Sequence, residues 1–129
     1  MGQRQGKPRF VNFDNVKEAH AKKILLINTL PLTEQQYLIM HTIPAGDEET
    51  TINNVLQSRS AKNVSIIVYG KNYADESAWT KCAQLQKLGF HNTFLYCGGI
   101  FEWSLLQDIY GEDIFLTTTK NTDILKFKP

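Results

Sequence analysis

The chain has 129 residues, a hydrophobic fraction of 42% and a formal charge of +1. That is enough for one domain with its own core, and no apolar run approaches the roughly 20 residues of a bilayer-spanning helix. The near-neutral charge, with no basic block or acidic tail, argues against nucleic acid or an anionic membrane as a partner. Two cysteines, Cys82 and Cys97, supply neither a disulfide framework nor a zinc site.

Residues 1–8 are polar and glycine-rich and are expected to fray. The opening MGQRQGKP has no hydrophobic leader, so a reducing, cytoplasmic setting is expected. Arg9–Phe13 alternates and predicts a short edge strand. Asp14 predicts the N-cap of a brief helix through Ala21, with Val16 and Ala19 as its apolar stripe. Ile24–Ile27 reads as a buried strand stopped by Pro31. Leu32–Met40 reads either as a short helix or as a loop carrying Tyr37, Leu38 and Ile39 inward. His41–Gly46 predicts a turn, with Ile43 held extended by Pro44. Asp47–Ser58 predicts a helix with an acidic first turn and an apolar face of Ile52, Val55 and Leu56.

The stretch Val64–Trp103 reads as one β-α-β unit. Val64–Tyr69 is a near-continuous apolar run, the pattern of a strand buried on both faces. Asp75–Leu88 places Ala78, Trp79, Cys82, Leu85 and Leu88 at helical spacing and ends at Gly89. Thr93–Tyr96 is a second strand, and Gly98-Gly99 opens an apolar helix, IFEWSLLQDIY, ending at Gly111. Residues 111–129 form an extension, with Phe115, Leu116, Ile124, Leu125 and Phe127 available to cover that helix. The alternation predicts a single α/β domain over residues 9–110, with a mostly parallel sheet and helices on both faces. Ligands of such sheets bind at the carboxyl ends of the strands. The segment Tyr69, Gly70, Lys71, Asn72, Tyr73, Ala74, Asp75, Glu76 and Ser77 is therefore the predicted site, with Asn28-Thr29-Leu30 facing it.

The chain resembles the rhodanese-like domains, the fold of sulfurtransferases shared with arsenate reductases and dual-specificity cell-cycle phosphatases. The residues that carry the resemblance are IIVY (Ile66–Tyr69), LQKLGF (Leu85–Phe90) and GGIFEW (Gly98–Trp103), with HTIP (His41–Pro44) a weaker echo. The resemblance implies a catalytic cysteine directly after the strand, opening a loop whose N–H groups bind an anion. Gly70 stands there, and glycine has no nucleophile. The place of the family's Asp-Val-Arg reads Asn28-Thr29-Leu30, and the loop reads as longer than the compact catalytic one. These departures resemble the inactive rhodanese domains of tandem proteins. Asp75 and Glu76 also put negative charge at a helix start that otherwise suits anions.

The leading expectation is a non-catalytic binding or regulatory module without cofactor or metal, acting on another protein, as a monomer or weak homodimer. A thiol enzyme using Cys97, at a strand end before a helix start, is the second reading. A structural domain that oligomerises through the apolar last helix is the third. Cys82, Trp79 and Trp103 are expected in the core. His20, His41 and His91 lack metal spacing, although His41 is placed to face the crevice if the turn orients it so. Tyr73 either projects as a partner anchor or folds over the space beside Gly70.

Overall fold

The computed structural model describes residues 8–120 and 123–129. The expectation of fraying at residues 1–7 lies outside the described residues, while Pro8, assigned to the same frayed segment, is buried. The elements in chain order are β1 (Arg9–Val11), α1 (Phe13–Glu18), β2 (Leu25–Asn28), β3 (Thr42–Ile43), α2 (Ala45–Gln57), β4 (Ser65–Tyr69), α3 (Glu76–Lys87), β5 (Asn92–Tyr96) and α4 (Gly99–Tyr110). The five strands form one sheet in the order β1-β5-β4-β2-β3, and every pairing is parallel. All strands therefore end at the same edge.

Alternation along the central strand builds two cores. Ile67 and Tyr69 point to the face covered by α1 and α4, where they join Val16, Ile100 and Trp103. Ile66 and Val68 point to the face of α2 and α3, where they join Ile52, Ala78, Cys82 and Leu85. This is why β4 reads as an unbroken apolar run: both of its faces are covered.

Several local expectations are corrected. Asn12, not Asp14, caps α1. Its side-chain oxygen accepts from the Asp14 and Asn15 N–H groups, and Asn15 accepts in return from the Asn12 N–H, a reciprocal box that starts the helix two residues earlier. The helix ends at Glu18 rather than Ala21. The His41–Gly46 turn contains a short strand, because the extended Ile43 before Pro44 falls in register with Ile27. Leu32–Met40 takes the loop alternative after a single 3-10 turn at Leu32–Glu34, and Tyr37, Leu38 and Ile39 are buried. Trp103 and Cys82 are core residues, whereas Trp79 is half-buried and meets Phe10 edge-on at 5.6 Å.

Residues past α4 pack back on the domain. Gln107 Nε2 donates to the Phe115 carbonyl at 2.7 Å and Trp103 Nε1 to the Leu116 carbonyl at 3.0 Å. Met40 and Thr118 exchange main-chain bonds with Leu116 and Leu38 across the same seam. Phe115 and Phe127 turn inward, while Leu116, Leu125, Ile109 and Tyr110 face outward.

Candidate functional site

The loop between β4 and α3 runs from Gly70 to Asp75, six residues. It lies within the 2–6 residues usual for a βα connection. Its compactness comes from side chains that bond their own backbone. Asn72 Oδ1 accepts from the Ala74 N–H at 2.9 Å, and the Asn72 carbonyl accepts from the Asp75 N–H at 3.1 Å. Asp75 then caps α3, Oδ1 taking the Ser77 N–H at 3.0 Å and its hydroxyl at 2.6 Å.

The other carboxylate oxygen of Asp75 reaches back across the loop. Oδ2 accepts from the Lys71 N–H at 2.9 Å. The loop and helix donors that in this architecture are available to a bound anion thus converge on a carboxylate the chain supplies itself. Partial burial opposes the charge on Asp75, but bonds from the Lys71 N–H and from the Ser77 hydroxyl and N–H, with the nearby Lys71 charge, outweigh it. The carboxyl is held below its ordinary range. Ser77 Oγ, its own proton on Asp75, lies 2.7 Å from Thr29 Oγ1 and can accept from that hydroxyl, linking the exit of β2 to the same cluster.

Gly70 is required by this arrangement. A Cβ there would lie 2.5 Å from Asp75 Oδ2 and 2.9 Å from Thr29 Oγ1. The start of α4 closes the loop from the other side. Ile100 N–H donates to the Gly70 carbonyl at 3.0 Å and Phe101 N–H to the Lys71 carbonyl at 2.9 Å. Gly99, at φ +66°, makes that approach possible; a Cβ on it would meet the Gly70 carbonyl oxygen at 2.5 Å. Two first-turn donors of α4, at Ile100 and Phe101, are therefore spent on loop carbonyls.

Tyr69 belongs to the sheet rather than the crevice. Its ring is fully buried, and its hydroxyl lies 2.8 Å from Thr42 Oγ1 and accepts from the Ile39 N–H at 3.1 Å. Burial pushes its pKa upward, partly offset by those bonds. Tyr73 projects at the loop tip with 70% of its surface exposed, so it does not fold over Gly70. The space expected beside Gly70 is filled by Asp75. Lys71, Ala74, Glu76 and Ser77 are exposed, and Asn72 is half-buried.

Cys97 lies at the end of β5, half-buried. Burial, and then the charge of Glu102, push its thiol pKa upward, which disfavours the thiolate. Glu102 itself accepts from the buried Tyr96 hydroxyl at 2.6 Å. Cys82 is enclosed, and burial pushes its thiol up to about 12. His41 is corrected: it precedes β3 and so sits at the amino edge, opposite the crevice. There it adopts φ 72° and stacks on His20 at 3.6 Å. Among the described residues no group of three or more His, Cys, Asp or Glu side chains is placed to hold a metal, and no helix is long and apolar enough to cross a membrane.

Two features of the crevice escaped the sequence reading. Asn28, buried where β2 ends, exchanges amide bonds with Gln35, accepts from the Leu30 N–H and donates to the Ile43 carbonyl. Gln35 also accepts from the Ala45 N–H, so one amide pair joins the exits of β2 and β3 to the start of α2. Beside it a groove of about 650 Å³ runs between α2 and α3, lined by Thr29, Ser77, Glu48, Glu49 and Lys81. Lys81 and Glu48 bridge its walls at 2.6 Å.

A parallel sheet of this strand order, with a six-residue loop at the carboxyl end of its central strand, defines an α/β domain of the class whose ligands ordinarily bind at strand ends. The chain belongs to the rhodanese-like domain family, whose model matches residues 14–106. No curated protein matches closely enough to count as a relative. Two solved structures share the fold. The BH2092 protein of Bacillus halodurans is 21% identical, with a TM-score of 0.59 over 81% of this chain and 74% of that one. The Rhodanese_3 like domain of the Alr3790 protein of Anabaena is 18% identical, with a TM-score of 0.53 over 78% of this chain and 96% of that one.

Proposed function

We propose that this domain is a non-catalytic binding or regulatory module that uses the face around Gly70–Ser77 to engage another protein. The observation that carries the reading is the contact between Gly70 and Asp75. The residue after β4 has no nucleophile, and the space a side chain needs there holds a carboxylate bound to the Lys71 N–H. A substrate oxyanion meets negative charge, with the Lys71 and Ser77 N–H groups already bonded to it. What the loop does present outward is Tyr73, an aromatic with a polar tip, on a compact and well-tied turn. The adjoining groove is mixed in charge, which suits a peptide better than thiosulfate, phosphate or arsenate.

The test is a thiosulfate:cyanide sulfur-transfer assay on the purified chain and on Cys97→Ser. Both are expected at background. Turnover well above background that disappears in Cys97→Ser would overturn the proposal in favour of a thiol enzyme. Gly70→Cys is expected to stay inactive, because its Cβ only pushes the Asp75 carboxylate aside, and that charge with Glu76 still opposes an anionic substrate.

A further inference from the structure

The extension past α4 is held in two different ways. Residues 115–118 are tied into the domain through Gln107, Trp103, Met40 and Leu38. Residues 123–129 form a turn whose described main-chain donors bond within it: Lys126 N–H to the Asp123 carbonyl and Lys128 N–H to the Leu125 carbonyl. The described contacts of the turn with the domain include three adjoining groups. Asn72 Nδ2 donates to the Phe127 carbonyl at 2.7 Å. Lys126 Nζ pairs with Glu34 at 2.7 Å. The Phe127 side chain is buried, with 6% of its surface exposed, between the loop on one side and Glu34, Gln36 and Tyr37 on the other. Lys128 stays exposed, along a groove shared with Asp75 and Glu76.

Each contact is of a kind a separate chain can supply. Asn72 reads a main-chain carbonyl, so it is indifferent to sequence. The buried ring is an anchor of the type that dominates protein interfaces. Glu34 and the acidic start of α3 complement lysines on either side of that anchor. We propose that the face between Asn72 and Glu34 is a docking site for a turn carrying an aromatic residue flanked by lysines. Lys126-Phe127-Lys128 is its resident occupant, which a partner protein bearing the same pattern displaces. This rests on the reading of the loop as a protein-binding face, and it adds the chemistry of the partner and a competition built into the chain.

Tethering holds the resident segment at an effective concentration on the order of millimolar, so the intact chain resists a competitor of equal intrinsic affinity. Removing the ring is expected to weaken the resident about tenfold to a hundredfold. The test uses the full chain with Phe127→Ala and the synthetic peptide acetyl-ILKFKP-amide, read by amide NMR shifts at Asn72 and Lys71. The variant is expected to bind the peptide saturably, at least about tenfold tighter than the unaltered chain does. A peptide with alanine for its phenylalanine is expected to lose that gain, as is Asn72→Ala in the same variant. No saturable binding to Phe127→Ala, or equal binding of the alanine peptide, overturns the proposal.

Should Phe127→Ala unfold, Lys126→Glu decides instead, since it sets a like charge against Glu34. Amide exchange at Lys126 and Lys128 is expected to accelerate at least about tenfold while β4 is unchanged; unaltered exchange there overturns the proposal. Sulfur-transfer turnover overturns the parent reading. Absent peptide binding without turnover overturns this inference alone.

Discussion

Gly70→Ala isolates the contact on which the functional reading depends. The φ of Gly70 lies outside the left-handed region, so the demand for glycine is steric. The new methyl would lie 2.5 Å from Asp75 Oδ2, and the carboxylate must swing away. That breaks the bond from the Lys71 N–H to a charged acceptor, worth about 1.5–3 kcal/mol. Lys71 is exposed, so water recovers part of it, and the lower half of that range applies. Against this, alanine restricts the unfolded chain and returns about 0.4–1 kcal/mol. The expected net loss is about 1–2 kcal/mol. Urea unfolding followed by tryptophan fluorescence reads this as a midpoint lowered by about 0.3–2 M, for slopes of about 1–3 kcal/mol per molar. The decisive measurement is the cycle with Asp75→Ala. That variant alone loses the helix cap, worth about 1 kcal/mol, and the same Lys71 N–H bond besides. With the carboxylate gone, the methyl meets only the Thr29 hydroxyl, and most of the Gly70→Ala penalty is expected to vanish, leaving a coupling of about 1 kcal/mol or more. Losses that simply add, within about 0.5 kcal/mol, refute the steric account.

Gly99→Ala is expected to be more damaging, by about 3 kcal/mol or more. It combines a left-handed residue, costing about 1–2 kcal/mol, with a backbone collision against the Gly70 carbonyl that no rotamer relieves, and a thermal melt reads it directly. Asn28→Ala strands the Leu30 N–H, the Ile43 carbonyl and part of Gln35, and is expected to lower stability by about 2–4 kcal/mol in urea. Iodoacetamide is expected to label Cys97 slowly at pH 7 and faster only above the ordinary thiol range, with Cys82 inert until unfolding; rapid labelling of Cys97 at neutral pH refutes the environment described for it. The folded carboxyl of Asp75 titrates below its unfolded value, so its stabilisation is present above about pH 4 and fades as pH falls through the folded value. Lys71 and Ser77 amide shifts are expected to follow that titration on acidification, and to stay flat in Asp75→Asn.

The fold was legible because it is written in periodicity. Ile66–Tyr69 has the unbroken run of a strand covered on both faces, and Ala78, Cys82 and Leu85 mark the buried side of α3. Boundaries set by side-chain bonds to the backbone were less legible. Asn12 takes the cap of α1 from Asp14 because its own backbone N–H finds Asn15, and no composition rule anticipates that exchange. The position of the Gly70–Asp75 loop at a strand end followed from topology, but its internal bonding did not. Asp75 was visible as a charge at a helix start, which suggests repulsion at a distance. The geometry adds that the carboxylate is itself the bound anion of the loop, five residues along the chain from the glycine that admits it. Gln35 gave no signal, since its role depends on β2, β3 and α2 converging from separate parts of the chain.

Gly70 and Asp75 therefore act as one device. Glycine without the aspartate would leave the Lys71 and Ser77 donors turned toward an open crevice, where a solvent anion is welcome. The aspartate without glycine would have to abandon the Lys71 N–H. Together they make a closed loop whose internal charge is satisfied, and the start of α4 fixes its carbonyls from the other side. Such a loop is rigid where a catalytic one must admit substrate, and what remains free on it is its outer surface: Tyr73 at the tip, and Asn72 holding a main-chain carbonyl that another chain can supply. A tied frame of this kind lowers the ordering cost of binding a peptide, which supports the proposed recognition role for the end of the central strand.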